Sequence, residues 1–213
     1  MPQEIKTIIF DAARVLMNFD TNIFVKSIRS CSPFSEEEIL SKIKSSSVLK
    51  EFDKGKISPQ IFYNQLEDIL QLKDLSFDEF EAEWRRILYW SNEDLGQIFS
   101  QIKPEIKLMV LANMDVLSWE VFTNFPIIKK YFSDEKQRIC SCEIGFAKPE
   151  TEIYDEALKR FGVSFEQSLF VDDNQENLEQ VRALGGNAIH YDCRSHSIDY
   201  LHNELTFPVN NLL

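Results

Sequence analysis

The sequence has no excess of positive charge: 23 Lys and Arg stand against 35 Asp and Glu, a net charge of −12. Nucleic acid and anionic membranes both require basic surface, so neither is expected as a partner. A phosphorylated substrate is not excluded, because a metal ion and one lysine can reverse the field inside a pocket. No apolar run approaches the ~20 residues needed to span a bilayer, and the first residues carry no secretory signal. Cysteine and histidine are sparse. Cys31, Cys140, Cys142 and Cys193, with His190, His196 and His202, show no zinc-binding spacing. Reduced structural thiols in a cytoplasmic protein are therefore expected. Internal repeats and low-complexity tracts are also absent. What is abundant is phenylalanine: seventeen in 213 residues, which points to aromatic-rich cores. The length suits one core domain and a small accessory one.

Five short β-branched or aromatic segments read as strands: Thr7–Phe10, Leu108–Leu111, Arg138–Cys142, Ser168–Val171 and Ala188–His190. In the third, alternation would put Cys140 and Cys142 on one buried face. Helical patterns separate the last four, so the expected fold is α/β, a doubly wound, Rossmann-like parallel sheet. Lys148-Pro149-Glu150 places proline at a first helical position, and Gly162 stops that helix after Phe161. Leu184-Gly185-Gly186 ends the helix that begins just beyond Asp173. Between Phe19 and Trp90 no strand is predicted. Ser35-x-x-Glu38 and Ser76-x-x-Glu79 read as capping boxes, and Ser58-Pro59 opens a helix with Ile61, Phe62, Leu66 and Ile69 on one face. The expected organisation is a core of residues 1–17 and 91–213 with an all-helical cap at 18–90. Such a cap would overhang the strand ends and act as a lid.

Four segments carry the chemistry. Asp11 follows the strand Ile8-Ile9-Phe10, where an open parallel sheet binds ligands. Alone it would be read as a turn former or cap. Leu108-Met109-Val110-Leu111-Ala112-Asn113, Gly145-Phe146-Ala147-Lys148-Pro149 and Leu169-Phe170-Val171-Asp172-Asp173-Asn174 follow in order. By themselves Lys148 would be a solvated lysine and Asp172 a helix cap. Together the four resemble the motifs of the haloacid dehalogenase-like superfamily, most of whose members are magnesium-dependent phosphatases. The resemblance implies that Asp11 is the nucleophile and that Lys148 bridges its carboxylate and the phosphoryl group. It implies an Mg²⁺ site from Asp11, the carbonyl of Ala13, Asp172 and Asp173, and a phosphate contact from Asn113. The branch most resembled is that of helical-cap sugar phosphatases related to glucose-1-phosphatase, which Phe52-Asp53-Lys54-Gly55-Lys56-Ile57-Ser58 also resembles.

Three positions depart from the family pattern. Most members carry a second aspartate, the general acid, where this chain has Ala13. A positioned acid is worth ~10²–10⁴ in rate, so substrates with good leaving groups are expected. Ala112 stands where a Ser or Thr hydroxyl normally bonds a phosphoryl oxygen, a loss of about 1.5–3 kcal/mol. Arg14 replaces Gly or Asn, residues that tolerate positive φ. It either binds phosphate or plugs the pocket through Asp11 or Asp172. The leading expectation is an Mg²⁺-dependent phosphatase of a small phosphorylated metabolite. The alternatives are a degenerate member that acts by binding a partner and, remotely, a 2-haloacid dehalogenase. Dehalogenases need no metal and usually carry serines where Asp172-Asp173 stands. Phe19, Asp20 and Phe52 are candidates for setting specificity, while substrate identity and oligomeric state are unreadable.

Overall fold

The structure is a computed structural model that describes residues 4–206 and 212. The outermost residues assigned to the core, 1–3, 207–211 and 213, lie outside them. Its frame is a five-stranded parallel sheet of β1 (Thr7–Phe10), β4 (Lys107–Ala112), β5 (Arg138–Cys140), β6 (Ser168–Asp172) and β7 (Asn187–His190). The spatial order is β5-β4-β1-β6-β7. A two-stranded antiparallel ribbon pairs β2 (Met17–Phe19) with β3 (Leu88–Ser91).

The sheet is buried on both faces, and the two-residue period of each strand sorts its side chains between them. Ile8, Phe10, Val110, Ala112, Leu169 and Val171 belong to one apolar cluster; Ile9, Met109, Leu111 and Phe170 belong to the other. The second face is covered by α10 (Thr151–Phe161) through Ile153, Tyr154, Ala157 and Leu158, and by Val181 of α11 (Gln175–Ala183). The doubly wound expectation is borne out. All five predicted sheet strands form, with ends shifted by a residue or two.

Five helices lie between β2 and β3: α1 (Thr21–Ile28), α2 (Glu36–Ser45), α3 (Ser47–Asp53), α4 (Pro59–Leu70) and α5 (Phe77–Arg85). Both capping boxes form, and the Ser58 hydroxyl accepts from the Ile61 N–H ahead of Pro59. Aromatic rings form the core of this insertion. Phe52 stacks on Phe62 at 4.1 Å, and Phe62 meets Trp84 edge-on at 4.9 Å. Phe24 meets Phe80 at 5.1 Å. Each fully buried ring contributes about 1.5–3 kcal/mol of apolar transfer. After β3 come α6 (Leu95–Phe99), α7 (Val116–Phe122), α8 (Pro126–Tyr131) and α9 (Ser141–Ile144), and the last helix is α12 (Ile198–Thr206). Among the described residues no helix is long and apolar enough to cross a membrane.

Four local expectations are corrected. β3 falls at the end of the stretch expected to lack strands; among the described residues its only ladder partner is β2, and Tyr89 and Trp90 stay exposed, so no alternation marks it. The buried face of α4 is Phe62, Tyr63, Leu66 and Leu70, with Ile61 45% exposed, because the stripe advances by four residues from Phe62. β5 stops at Cys140, and Cys142 sits in α9 with its sulfur 2.9 Å from that of Cys140. The helix after Lys148 starts at Thr151 and not at Pro149, because the Glu150 side chain accepts from the Ala147 N–H at 2.8 Å and holds the preceding loop open.

Candidate active site

β1 has β4 on one side and β6 on the other, so the crossovers diverge at its carboxyl end, where such sheets bind ligands. The register aligns Phe10 with both Val110 and Val171. Asp11, Ala112-Asn113 and Asp172 therefore emerge at one level. The Asp11 N–H continues the ladder by donating to the Val171 carbonyl at 2.8 Å, which fixes where its carboxylate points.

Lys148 arrives from the loop before α10 and is almost completely enclosed. Its Nζ donates to Asp11 Oδ1 at 2.6 Å and to Asp172 Oδ2 at 2.7 Å. Asn113 aims it: its Nδ2 donates to the Lys148 carbonyl at 2.8 Å, and its Oδ1 accepts from the Lys148 N–H at 2.7 Å. Asp172 also receives the Asn174 N–H at 2.9 Å and the Asn177 amide at 3.0 and 3.1 Å. Asn177 is the positioning residue whose role the sequence did not declare; it lies five residues after Asp172, on the inner face of the first turns of α11.

Burial opposes the charge on Lys148, yet the Asp11 and Asp172 carboxylates outweigh it and hold the ammonium above its usual range. Burial also raises Asp11; Lys148 draws it down, and Asp172 and Asp173 push it back up. Lys148 and the Arg14 guanidinium beside Asp173 are two cations against three carboxylates, which leaves the cluster short of positive charge. Asp11, Asp172 and Asp173 each offer an oxygen, and these atoms lie within 4.8 Å of one another. The Ala13 carbonyl accepts no hydrogen bond from any described residue. An all-oxygen donor set of this kind suits a hard divalent cation.

Arg14 has φ 59, the left-handed conformation its position implied. For a residue with a Cβ this costs about 1–2 kcal/mol. Its guanidinium pairs with Asp173 at 3.2 Å and lies 5.7 Å from the Phe19 ring centroid. Neither Asp11 nor Asp172 is its partner, so of the two alternatives the plug through those residues does not form. The Asn113 side chain is taken up by Lys148, so any phosphate contact there falls to its backbone. Phe52 is buried among aromatics and Asp20 caps α1, so neither faces the site; Phe19 does.

Two cavities meet near this edge. A cleft of about 460 Å³ is lined by Lys148, Asn113 and Glu150 of the sheet side and by Asp53 and Lys54 of the helices. A chamber of about 220 Å³ is lined by Ala13, Asn113 and Asp115 and, from the other side, by Phe19, Trp84 and again Asp53. The helices are tied down beside both. Lys54 pairs with Glu150 at 2.7 Å, Trp84 Nε1 donates to Asp115 at 3.1 Å, and the Ser141 hydroxyl donates to the Asp53 carbonyl. Gly55, at φ 63, passes so close to the Cys142 carbonyl that no Cβ would fit.

An aspartate just past the central strand and a buried lysine bridging two carboxylates thus sit at the switch point of a doubly wound sheet. Residues 5–185 match the haloacid dehalogenase-like hydrolase family, and the chain belongs to it. D-ribitol-5-phosphate phosphatase of Bacteroides thetaiotaomicron is 26% identical over 186 residues, covering 85% of this chain and 89% of that protein. A HAD family enzyme of the same organism, solved in complex with magnesium and inorganic phosphate, superposes with a TM-score of 0.79 at 22% identity, covering 92% of this chain and 98% of that one. The L-2-haloacid dehalogenase of Xanthobacter autotrophicus, with chloropropionic acid covalently bound, superposes at 0.61 and 18% identity, covering 97% and 84%. At these identities the solved structures speak to the fold.

Proposed function

We propose that the protein is an Mg²⁺-dependent phosphatase of a small phosphorylated metabolite, acting through an aspartyl-phosphate on Asp11. The observation that carries this reading is the position of Lys148 Nζ, 2.6 Å from Asp11 and 2.7 Å from Asp172 at the switch point of the sheet. A carboxylate can attack a phosphate dianion only where positive charge offsets their repulsion. Asp11, Asp172, Asp173 and the Ala13 carbonyl would hold Mg²⁺, which when bound neutralises phosphoryl charge. Asp11 Oδ bonds to phosphorus as the P–O bond to the leaving oxygen breaks and that group departs, Lys148 steadies the oxygens that gather charge, and Asn113 keeps Lys148 on line. Water then hydrolyses the acyl phosphate. The related D-ribitol-5-phosphate phosphatase supports a small polyol or sugar phosphate as substrate.

We read residues 1–17 and 91–213 as the core and 18–90 as the cap, with the β2–β3 ribbon at their junction. The cap's closeness to the site favours small substrates. Four free thiols support a cytoplasmic location. The adjacent carboxylates Asp172 and Asp173 weigh against the dehalogenase reading, since they need a cation to balance them.

The test is hydrolysis of p-nitrophenyl phosphate and acetyl phosphate with and without Mg²⁺, beside Asp11→Asn. Metal-dependent turnover that disappears in the variant is expected. Wild-type rates no higher than the variant's on both substrates would leave the degenerate, partner-binding reading in its place.

A further inference from the structure

Ala13 removes the general acid from its usual place, yet one acidic residue from the helical side lines the same chamber. Asp53 ends α3 and lines both cavities, with Ala13 and Asn113 in one and with Lys148 and Asn113 in the other. Among the described residues its carboxyl has no hydrogen-bond or ion-pair partner. Its backbone, in contrast, is fixed by the Ser141 hydroxyl, with the Lys54–Glu150 ion pair and the Gly55–Cys142 approach on the residues just after it. An unpaired carboxyl on an anchored backbone, in a residue that lines the cavity, is what proton transfer to a bound ligand requires.

We propose that Asp53 is the general acid–base of this enzyme, supplied by the helical insertion in place of the carboxyl missing at position 13. The proposal rests on the phosphatase reading above. In the first half-reaction Asp11 Oδ bonds to phosphorus as the ester P–O bond breaks. The departing oxygen takes the proton of the Asp53 carboxyl and leaves as an alcohol. In the second, the Asp53 carboxylate accepts a proton from the water that attacks phosphorus. The acyl P–O bond breaks, phosphate departs, and Asp11 carboxylate and Asp53 carboxyl are restored.

The surroundings keep that carboxyl protonated at neutral pH. Burial is the main cause and the Asp115 charge the second, and together they push Asp53 up to about 8. Its place at the carboxyl end of a helix also disfavours an anion. Asp115 is no rival, because it accepts from Ser118 N–H, the Ser118 hydroxyl and Trp84 Nε1. Of the cations along the cleft, Lys148 is held by Asp11 and Asp172, and Lys54 by Glu150. Lys50, Glu51 and Lys56, on and just beyond α3, are solvent-exposed and screened.

The test compares phenyl phosphate with p-nitrophenyl phosphate, alike in shape but unlike in how much their leaving oxygen needs a proton. With Mg²⁺ present, Asp53→Asn is expected to lower kcat/KM on phenyl phosphate by about 10² or more, and at least about tenfold more than on p-nitrophenyl phosphate. The alkaline limb of the wild-type phenyl phosphate profile, lost as pH rises through the Asp53 value, should vanish in the variant. Asp53→Glu, which keeps a carboxyl, should retain more phenyl phosphate activity than Asp53→Asn. Equal losses on both substrates, or none, would overturn the role of Asp53 while leaving the phosphatase intact. Wild-type protein without Asp11-dependent turnover of p-nitrophenyl phosphate would overturn the phosphatase reading, and Asp53 with it.

Discussion

The edge of the parallel sheet and the helical insertion are held by different forces. At the edge, polar atoms are bound several times over: Asp172 alone receives the Lys148 ammonium, the Asn174 N–H and the Asn177 amide. Phe24, Phe62, Phe80 and Trp84 hold the insertion together by apolar packing, and the carboxyl of Asp53, which lines both cavities, has no partner among the described residues. The edge is thus organised before a ligand arrives, because fixed dipoles and charges cannot wait for one. The insertion supplies walls and a free proton carrier. Damage at the edge should remove chemistry, and damage to the insertion's aromatic core should remove stability with chemistry kept.

The sharpest break of that contrast is Asp11→Asn, which should eliminate phosphatase turnover while the thermal midpoint stays near wild type. Lys148→Met comes next. Removing one partner of a buried ion pair costs about 3–5 kcal/mol, since Asp11 and Asp172 then lack their counter-charge. Denaturant unfolding should show that loss, with Mg²⁺ restoring more stability to the variant than it adds to wild type. Phe62→Ala should cost a similar ~3–5 kcal/mol through its cavity, but with kcat per folded molecule largely kept and no rescue by Mg²⁺.

Smaller effects refine the edge itself. Ala112→Ser restores a hydroxyl at the end of β4 and should raise kcat/KM on acetyl phosphate roughly tenfold, one hydrogen bond to a charged group. No gain, with Mg²⁺ demonstrably bound, would count against a weakened but working site. Arg14→Gly should change stability least. It relieves about 1–2 kcal/mol of left-handed strain and loses a partly exposed ion pair worth about 0–1 kcal/mol. Freeing Asp173 should also tighten Mg²⁺ binding, measured by calorimetry.

The sequence made the edge legible and the insertion only partly so, for physical reasons. Strand Thr7–Phe10 and the acids after β1 and β6 are local signals, and parallel register brings them together wherever the rest of the chain runs. Ser35, Ser58 and Ser76 announced their helices for the same reason, since a cap bonds within its own first turn. The β2–β3 ribbon pairs residues some seventy positions apart over three or four residues each, and no local pattern encodes that. The Arg14–Asp173 and Lys54–Glu150 pairs are likewise products of tertiary placement. Position 14 itself told of its backbone, but not of its partner. Asp53 is visible within a cap motif, yet only the folded chain brings it into the cavity that Ala13 lines.

The central claim is that Asp11 carries the phosphoryl group. Acid-quenching the protein during Mg²⁺-dependent turnover of acetyl phosphate, then weighing its peptides, tests it directly. The account predicts one phosphoryl group on the peptide bearing Asp11, absent without Mg²⁺ and absent in Asp11→Asn. A phosphoryl group on another peptide, or turnover that survives in Asp11→Asn, would contradict it.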